Sequence, residues 1–155
     1  MGAVTYPEPA VGEAITQRFV PVQINTQDGT GTEIIARYRQ VWTPDLRVLG
    51  ADGFEYDGWN GYLPPFEFIP RLLLGQAHAL LRQGRDLDAA DVCEEVVRRF
   101  PSSHAAPEAA YYVAVARYRH THEPRDLLGN WEQLRLRYPD SVWRLKQSMV
   151  EGNGP

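Results

Sequence analysis

A chain of 155 residues with 43% hydrophobic and 23% charged side chains can bury one sizeable core or two small ones. Its net charge of −4 leaves no basic footprint, which argues against nucleic acid as a partner. No apolar run approaches the about 18–20 residues of a membrane-spanning helix, and the single cysteine, Cys93, excludes an intrachain disulfide scaffold or a two-thiol redox centre built from this chain alone.

The first residues, Met1 to Ala10, lack the charged and apolar regions of a secretory signal, so a cytoplasmic protein with no membrane partner is expected. Pro9 or Ala10 suits the first position of a helix. Val11, Ala14, Ile15 and Phe19 repeat at helical spacing, which predicts an amphipathic helix over Ala10 to Arg18. Phe19-Val20-Pro21-Val22-Gln23-Ile24-Asn25 then alternates and is β-branched, the pattern of a strand. Thr26 to Gly31 reads as a loop, with Thr32 capping a helix over Glu33 to Arg39 that turns Ile34, Ile35 and Tyr38 inward. Gly29-Thr30-Gly31 lacks the lysine and the length of a phosphate-binding loop.

Two strands follow, about Leu46 to Leu49 and Phe54 to Trp59, with Asp52-Gly53 between them as a hairpin signal. Pro44 stands at the entry to the first strand, where it sacrifices a single ladder bond, and Thr43-Pro44 is a peptide bond that can be cis. Pro64-Pro65 opens a helix carrying Phe66, Phe68, Ile69, Leu72 and Leu73, with a kink or break expected at Pro70.

From Pro70 onward the pattern is helical and repeats. Arg99-Phe100-Pro101-Ser102-Ser103 returns as Arg137-Tyr138-Pro139-Asp140-Ser141, a 38-residue interval without a gap. In that register Leu73 falls on Tyr111, Leu80 on Tyr118, Cys93 on Trp131 and Val96 on Leu134. Ala77 falls on Val115 and Ala89 on Leu127. Each unit is a helix, a short turn (Gly84 to Asp86, then His122 to Arg125), a second helix and a Pro-led turn. Val142 to Val150 reads as a closing helix, with Glu151 to Pro155 disordered.

The stretch Arg37 to Leu63 resembles the C-terminal half of a thioredoxin fold. Tyr38 to Pro44 looks like its helix end and cis-proline loop, Asp45 to Leu49 like the next strand, Ala51-Asp52-Gly53 like the hairpin, and Gly61 to Pro65 like the entry to the last helix. The tail resembles tetratricopeptide-type helical hairpins, at a spacing slightly longer than the usual ~34 residues. The expected class is α/β: a truncated thioredoxin-like sheet with helices over residues 1–66, then an all-α tail over 67–155 with repeats at about 70–107 and 108–145. Roughly three repeats are normally needed for independent stability, so two ask for support.

The thioredoxin resemblance implies a Cys-x-x-Cys just upstream of Met1 and a strand between those matching Phe19–Asn25 and Asp45–Leu49. Without that strand the sheet has a gap of two strand spacings, about 9–10 Å. The two strands can close up, the tail can cover the gap, or a second chain can fill it. The last is favoured, and with it a homo-oligomer. The resemblance also implies that Trp42, Thr43, Pro44, Gly61 and Tyr62 contact an extended peptide; the alternative is that Pro44 merely maintains a turn. The functional expectation is a redox-inactive, thioredoxin-like protein-interaction module. The alternative is the remainder of a thiol–disulfide oxidoreductase whose Cys-x-x-Cys precedes Met1.

The rest of the chemistry reads as structural. Cys93 lies on an apolar helical face and is expected in the core. His120, His122 and Glu123 lack metal-ligand spacing, and His78 and His104 are isolated. Asp86, Asp88, Asp91, Glu94 and Glu95 alternate with arginines as a solvated, ion-paired face. Tyr111, Tyr112, Tyr118, Trp131, Tyr138 and Trp143 are expected mostly in the core, the alternative for some being the lining of a concave groove. No catalytic motif is present, and no catalytic residue, cofactor or metal ligand is assigned.

Overall fold

The computed structural model describes residues 4–27 and 29–151. The chain is mixed α/β and mostly helical. Its elements are α1 (Pro9–Arg18), α2 (Gly29–Tyr38), β1 (Asp45–Leu49), β2 (Glu55–Asn60), α3 (Pro65–Arg82), α4 (Asp86–Arg99), α5 (Ala106–Thr121), α6 (Pro124–Arg137) and α7 (Val142–Glu151). It divides into two compact units, Met1–Ile69 and Pro70–Pro155, each described by itself.

In the N-terminal unit, α1 begins with Pro9 in the first turn and buries Val11, as its spacing predicts. The helix ends where Phe19 turns extended, at φ −139° and ψ 160°, its N–H still bonded to the Ile15 carbonyl. The strand expected over Phe19 to Asn25 does not form: no ladder includes these residues. Their β-branched alternation favours an extended backbone, but a strand exists only with a neighbour to receive its hydrogen bonds.

The next expectation is also corrected. Helix α2 starts at Gly29, so Gly29-Thr30-Gly31 belongs to its first turn and Thr32 lies inside the helix rather than capping it. A side chain at position 31 would meet the Asn25 carbonyl oxygen at 2.1 Å, so glycine is what lets the helix start this close to the preceding chain. The helix closes with Arg39 left-handed (φ 50°) and the Gln40 N–H bonded back to the Ile35 carbonyl, a Schellman-type end.

Strands β1 and β2 pair antiparallel, with Asp45 opposite Asn60 and Val48 opposite Asp57. The register slips before the turn, where Leu49 faces Glu55 and Tyr56 becomes the extra residue of a bulge. Gly50 and Phe54 close the loop (2.8 Å), and the Asp52 carboxylate accepts from the Phe54 N–H (3.0 Å). The Tyr38 hydroxyl donates to the Gly53 carbonyl (3.1 Å), tying α2 to the hairpin. Arg47 bridges Asp45 (2.7 Å) and Glu55 (2.6 Å), which holds its guanidinium well above its ordinary pKa. Phe68 is buried with Tyr6 and Trp59 edge-on to its ring, each at 5.9 Å, while Thr5 donates to the Leu63 carbonyl (2.7 Å).

Helix α3 runs through Pro70 without a break. In the C-terminal unit the 38-residue register is visible in the packing: Cys93 and Trp131 are both buried, as are Val96 and Leu134. Ala77, Ala89, Ala90, Ala106, Ala109, Ala114 and Ala116 are buried, and such small side chains permit close helix approach. Ala114, Trp131 and Leu134 form a cluster against Tyr111, Leu127, Tyr138 and Trp143. Tyr111 stacks on Trp131 at 5.2 Å and meets Trp143 at the same distance. Tyr118 departs from the repeat register: it is exposed, whereas its counterpart Leu80 is buried. Of the tail expected to be disordered, Glu151 closes α7 and the remainder lies outside the described residues.

Leu134 has no exposed surface, so Leu134→Ala is expected to cost about 2–5 kcal/mol in urea denaturation followed by tryptophan fluorescence. Leu136→Ala, two residues away and exposed, should stay within about 0.5 kcal/mol. Equal effects would contradict this assignment of the packed face.

Candidate functional site

Of the five residues singled out by resemblance, Pro44 and Gly61 are hydrogen-bonded to each other, and Trp42, Thr43 and Tyr62 adjoin them in the chain. After α2, the chain is steadied by the Gln40 side-chain amide, which donates to the Trp42 carbonyl (3.2 Å). The Thr43–Pro44 peptide bond is cis. The Pro44 carbonyl accepts from the Gly61 N–H at 2.9 Å, one step beyond the Asp45–Asn60 pair. The hairpin therefore returns Gly61-Tyr62 to the side of Trp42-Thr43-Pro44. Gly61 sits at φ +96°, a backbone conformation that a side chain would strain.

The junction is open to solvent. Trp42 is 70% exposed and Tyr62 51%, and Val41, next in the chain, is more exposed still. Trp and Tyr supply large, rigid contact area and are enriched at binding hot spots. Val41 was not among the residues singled out. Only its position beside Trp42 in an irregular stretch, where an apolar pair has no periodic face to join, hinted at it.

The single cysteine is placed differently. Cys93 is fully buried on α4, and burial, reinforced by the nearby charges of Glu108 and Glu94, pushes its thiol up to about 12. Every one of these influences is opposite to what activates a thiolate. His78 on α3 pairs with Glu108 on α5 (3.3 Å) and lies edge-on to Tyr112 (4.9 Å). Sequence spacing did not show this pair, because it joins two helices. His120 is exposed on the last turn of α5, and His122 is its left-handed cap.

The acidic run on α4 is ion-paired, in two ways. Asp88 pairs with Arg85 (2.7 Å) and Glu95 with Arg99, at the helical spacings expected. Asp86 instead reaches Arg119 (3.2 Å) and Glu94 reaches Arg117, both across to α5. A groove of about 610 Å³ over α4, α5 and α6 is lined by this Glu94–Arg117 pair with Asp91, Arg98 and Arg137, and by none of the tail aromatics. Tyr138 and Trp143 instead border a smaller groove of about 390 Å³ beside Pro101 and Pro107.

Compared with protein-family models, with curated proteins and with solved structures, the chain matches none.

The thiol has a pH signature. Its folded pKa lies above the ordinary value of 9, so the folded state holds the proton more tightly. The associated stability is fully present below pH 9 and is lost as the pH rises toward 12. Between pH 7 and pH 10 the native chain should lose about 1.4 kcal/mol more than Cys93→Ala. Native Cys93 should also resist an aromatic disulfide reagent at pH 8 and react once urea unfolds the chain. Prompt native labelling, or identical pH profiles, would contradict the buried thiol.

Proposed function

We propose that this chain is a polypeptide-binding module without thiol chemistry of its own, thioredoxin-like over Arg37 to Leu63, tetratricopeptide-like in its tail, and self-associating. The observation that carries the reading is the junction of Trp42-Thr43-Pro44 with Gly61-Tyr62. Two large aromatic side chains stand in water beside a backbone turn, while the only cysteine is sealed in the other unit.

The distribution of apolar surface supports a binding role. Among the described residues, the N-terminal unit buries Val11, Val48, Phe68 and Ile69 as its hydrophobic core. The same unit leaves Val20, Val22, Val41, Trp42, Phe54, Tyr62 and Phe66 each more than half exposed. Scattered exposed apolar residues are ordinary, but a unit that exposes more large apolar side chains than it buries has surface suited to a partner. The ligand that fits is an extended polypeptide. Its main chain would bond to backbone at the Thr43-Pro44 turn, and its apolar side chains would pack on Trp42 and Tyr62.

An array of overlapping extended peptides tests this. Trp42 emission should shift to the blue on binding, since the free indole is in water. Trp42→Ala and Tyr62→Ala should each weaken retention of the selected peptides about tenfold, the loss of roughly 1.4 kcal/mol typical of a hot-spot truncation. Leu136→Ala, in the other unit, should have no effect. Failure to retain any peptide, or unchanged binding by both aromatic variants, would contradict the proposal.

A further inference from the structure

Residues Val20 to Ile24 carry a second reading, which rests on the self-association just proposed and gives it a place. Among the described residues no hydrogen bond engages their backbone. Val20 is 89% exposed, Val22 77% and Ile24 41%. Pro, Thr and Gly-rich segments remain unpaired in many loops, but this one is apolar, β-branched and uncharged from Phe19 to Asn25. It has the composition of a strand and the solvent exposure of a loop.

In an extended segment, residues two apart share one face and point their N–H and C=O groups to the same edge. Drawn into a strand, as its β-branched residues favour, the segment places Val20, Val22 and Ile24 on one edge and one face. Pro21, on the other edge, has no N–H to donate, so that edge is incomplete. One complete edge accepts one neighbour. The pattern is also symmetric about Val22: a β-branched aliphatic stands two residues before it and another two residues after it. An antiparallel copy of the same segment then sets Val22 opposite Val22 and Val20 opposite Ile24, apolar against apolar, with no charge facing a like charge.

We propose that Val20–Ile24 is a homodimerisation strand, pairing antiparallel with the same segment of a second copy about a two-fold axis at Val22. Such an interface is isologous and self-complementary, and its symmetry closes the assembly at two chains. It satisfies backbone groups that one chain alone leaves to water. Each copy contributes three aliphatic side chains, well short of the about 800 Å² per partner of a standard interface. The dimer is therefore expected to dissociate on dilution rather than to be permanent.

The experiment is sedimentation velocity over a concentration series. The native chain should pass from monomer to dimer as concentration rises. Val22→Pro removes the central donor from the pairing edge and should raise the midpoint at least tenfold, an energetic loss of about 1.4 kcal/mol. Gln23→Pro alters only the outer edge and should leave the midpoint unchanged. Both variants should keep the native circular dichroism, since among the described residues no hydrogen bond engages the backbone of Val20 to Ile24.

Register is read by cross-linking. Hydrogen-bonded opposite residues have Cα atoms about 5.5 Å apart, within the range a disulfide spans. Val22→Cys should oxidise to a covalent dimer, whereas Val20→Cys and Ile24→Cys alone should not, because each lies opposite the other. A chain that dimerises with Val22→Pro unaffected, or that cross-links equally at Val20, overturns the strand pair and leaves self-association standing. A chain that stays monomeric at high micromolar concentration overturns both, without bearing on peptide binding at Trp42 and Tyr62.

Discussion

Backbone N–H and C=O groups need partners, and where they find them divides this chain in two. In the C-terminal unit the described elements are helices that bond within themselves, joined by short turns, and only side chains must fit between neighbours. In the N-terminal unit the backbone from Phe19 to Asn25 has no ladder, and the described sheet stops at two strands. A two-stranded ribbon is marginal in water without a packed face. Here it is held by Tyr38 on the Gly53 carbonyl, by the Arg47 bridges, and by Trp59 against Phe68.

Hydrophobic burial follows the same division. Alanines, Cys93, Val96 and Leu134 interlock in the helical unit, where small side chains let α4 and α5 approach. The N-terminal unit has aromatic and aliphatic side chains in abundance but places many of them in water. The binding role proposed for this chain rests on that imbalance. Surface that one chain leaves wet becomes favourable contact area when another polypeptide covers it. Trp42 and Tyr62 beside the Pro44–Gly61 bond offer one such place, and the Val20–Ile24 edge offers another.

Legibility in the sequence tracked the range of the interaction. The Pro-led turns and the Asp52-Gly53 hairpin rest on local signals, and the equivalence of Cys93 and Trp131 rests on the repeat, so each could be read directly. Pro9 at the start of α1 belongs with them. Misreadings arose where distant chain decides. Alternation in Phe19 to Asn25 describes what the residues prefer, not whether a neighbouring strand exists. Gly29-Thr30-Gly31 has poor helix propensity, yet all three lie in α2, where the missing side chain of Gly31 leaves room for the Asn25 carbonyl. The reach of Arg117 and Arg119 to α4, and of His78 to Glu108, depends on helix packing that spacing along one helix cannot express. The five junction residues came from resemblance rather than from pattern; what residue chemistry alone made legible was the glycine and proline that bend the chain there.

The central claim is that the helical unit is complete in itself while the N-terminal unit completes its backbone bonding with another polypeptide. Amide hydrogen exchange read by mass spectrometry at two protein concentrations tests it directly. The account predicts slow exchange in α4, α5 and α6 at both concentrations. It predicts exchange near the unstructured rate over residues 20–25 in dilute solution, and protection there as concentration rises. Strong protection of residues 20–25 at every concentration, or helices that exchange as fast as that segment, would contradict it.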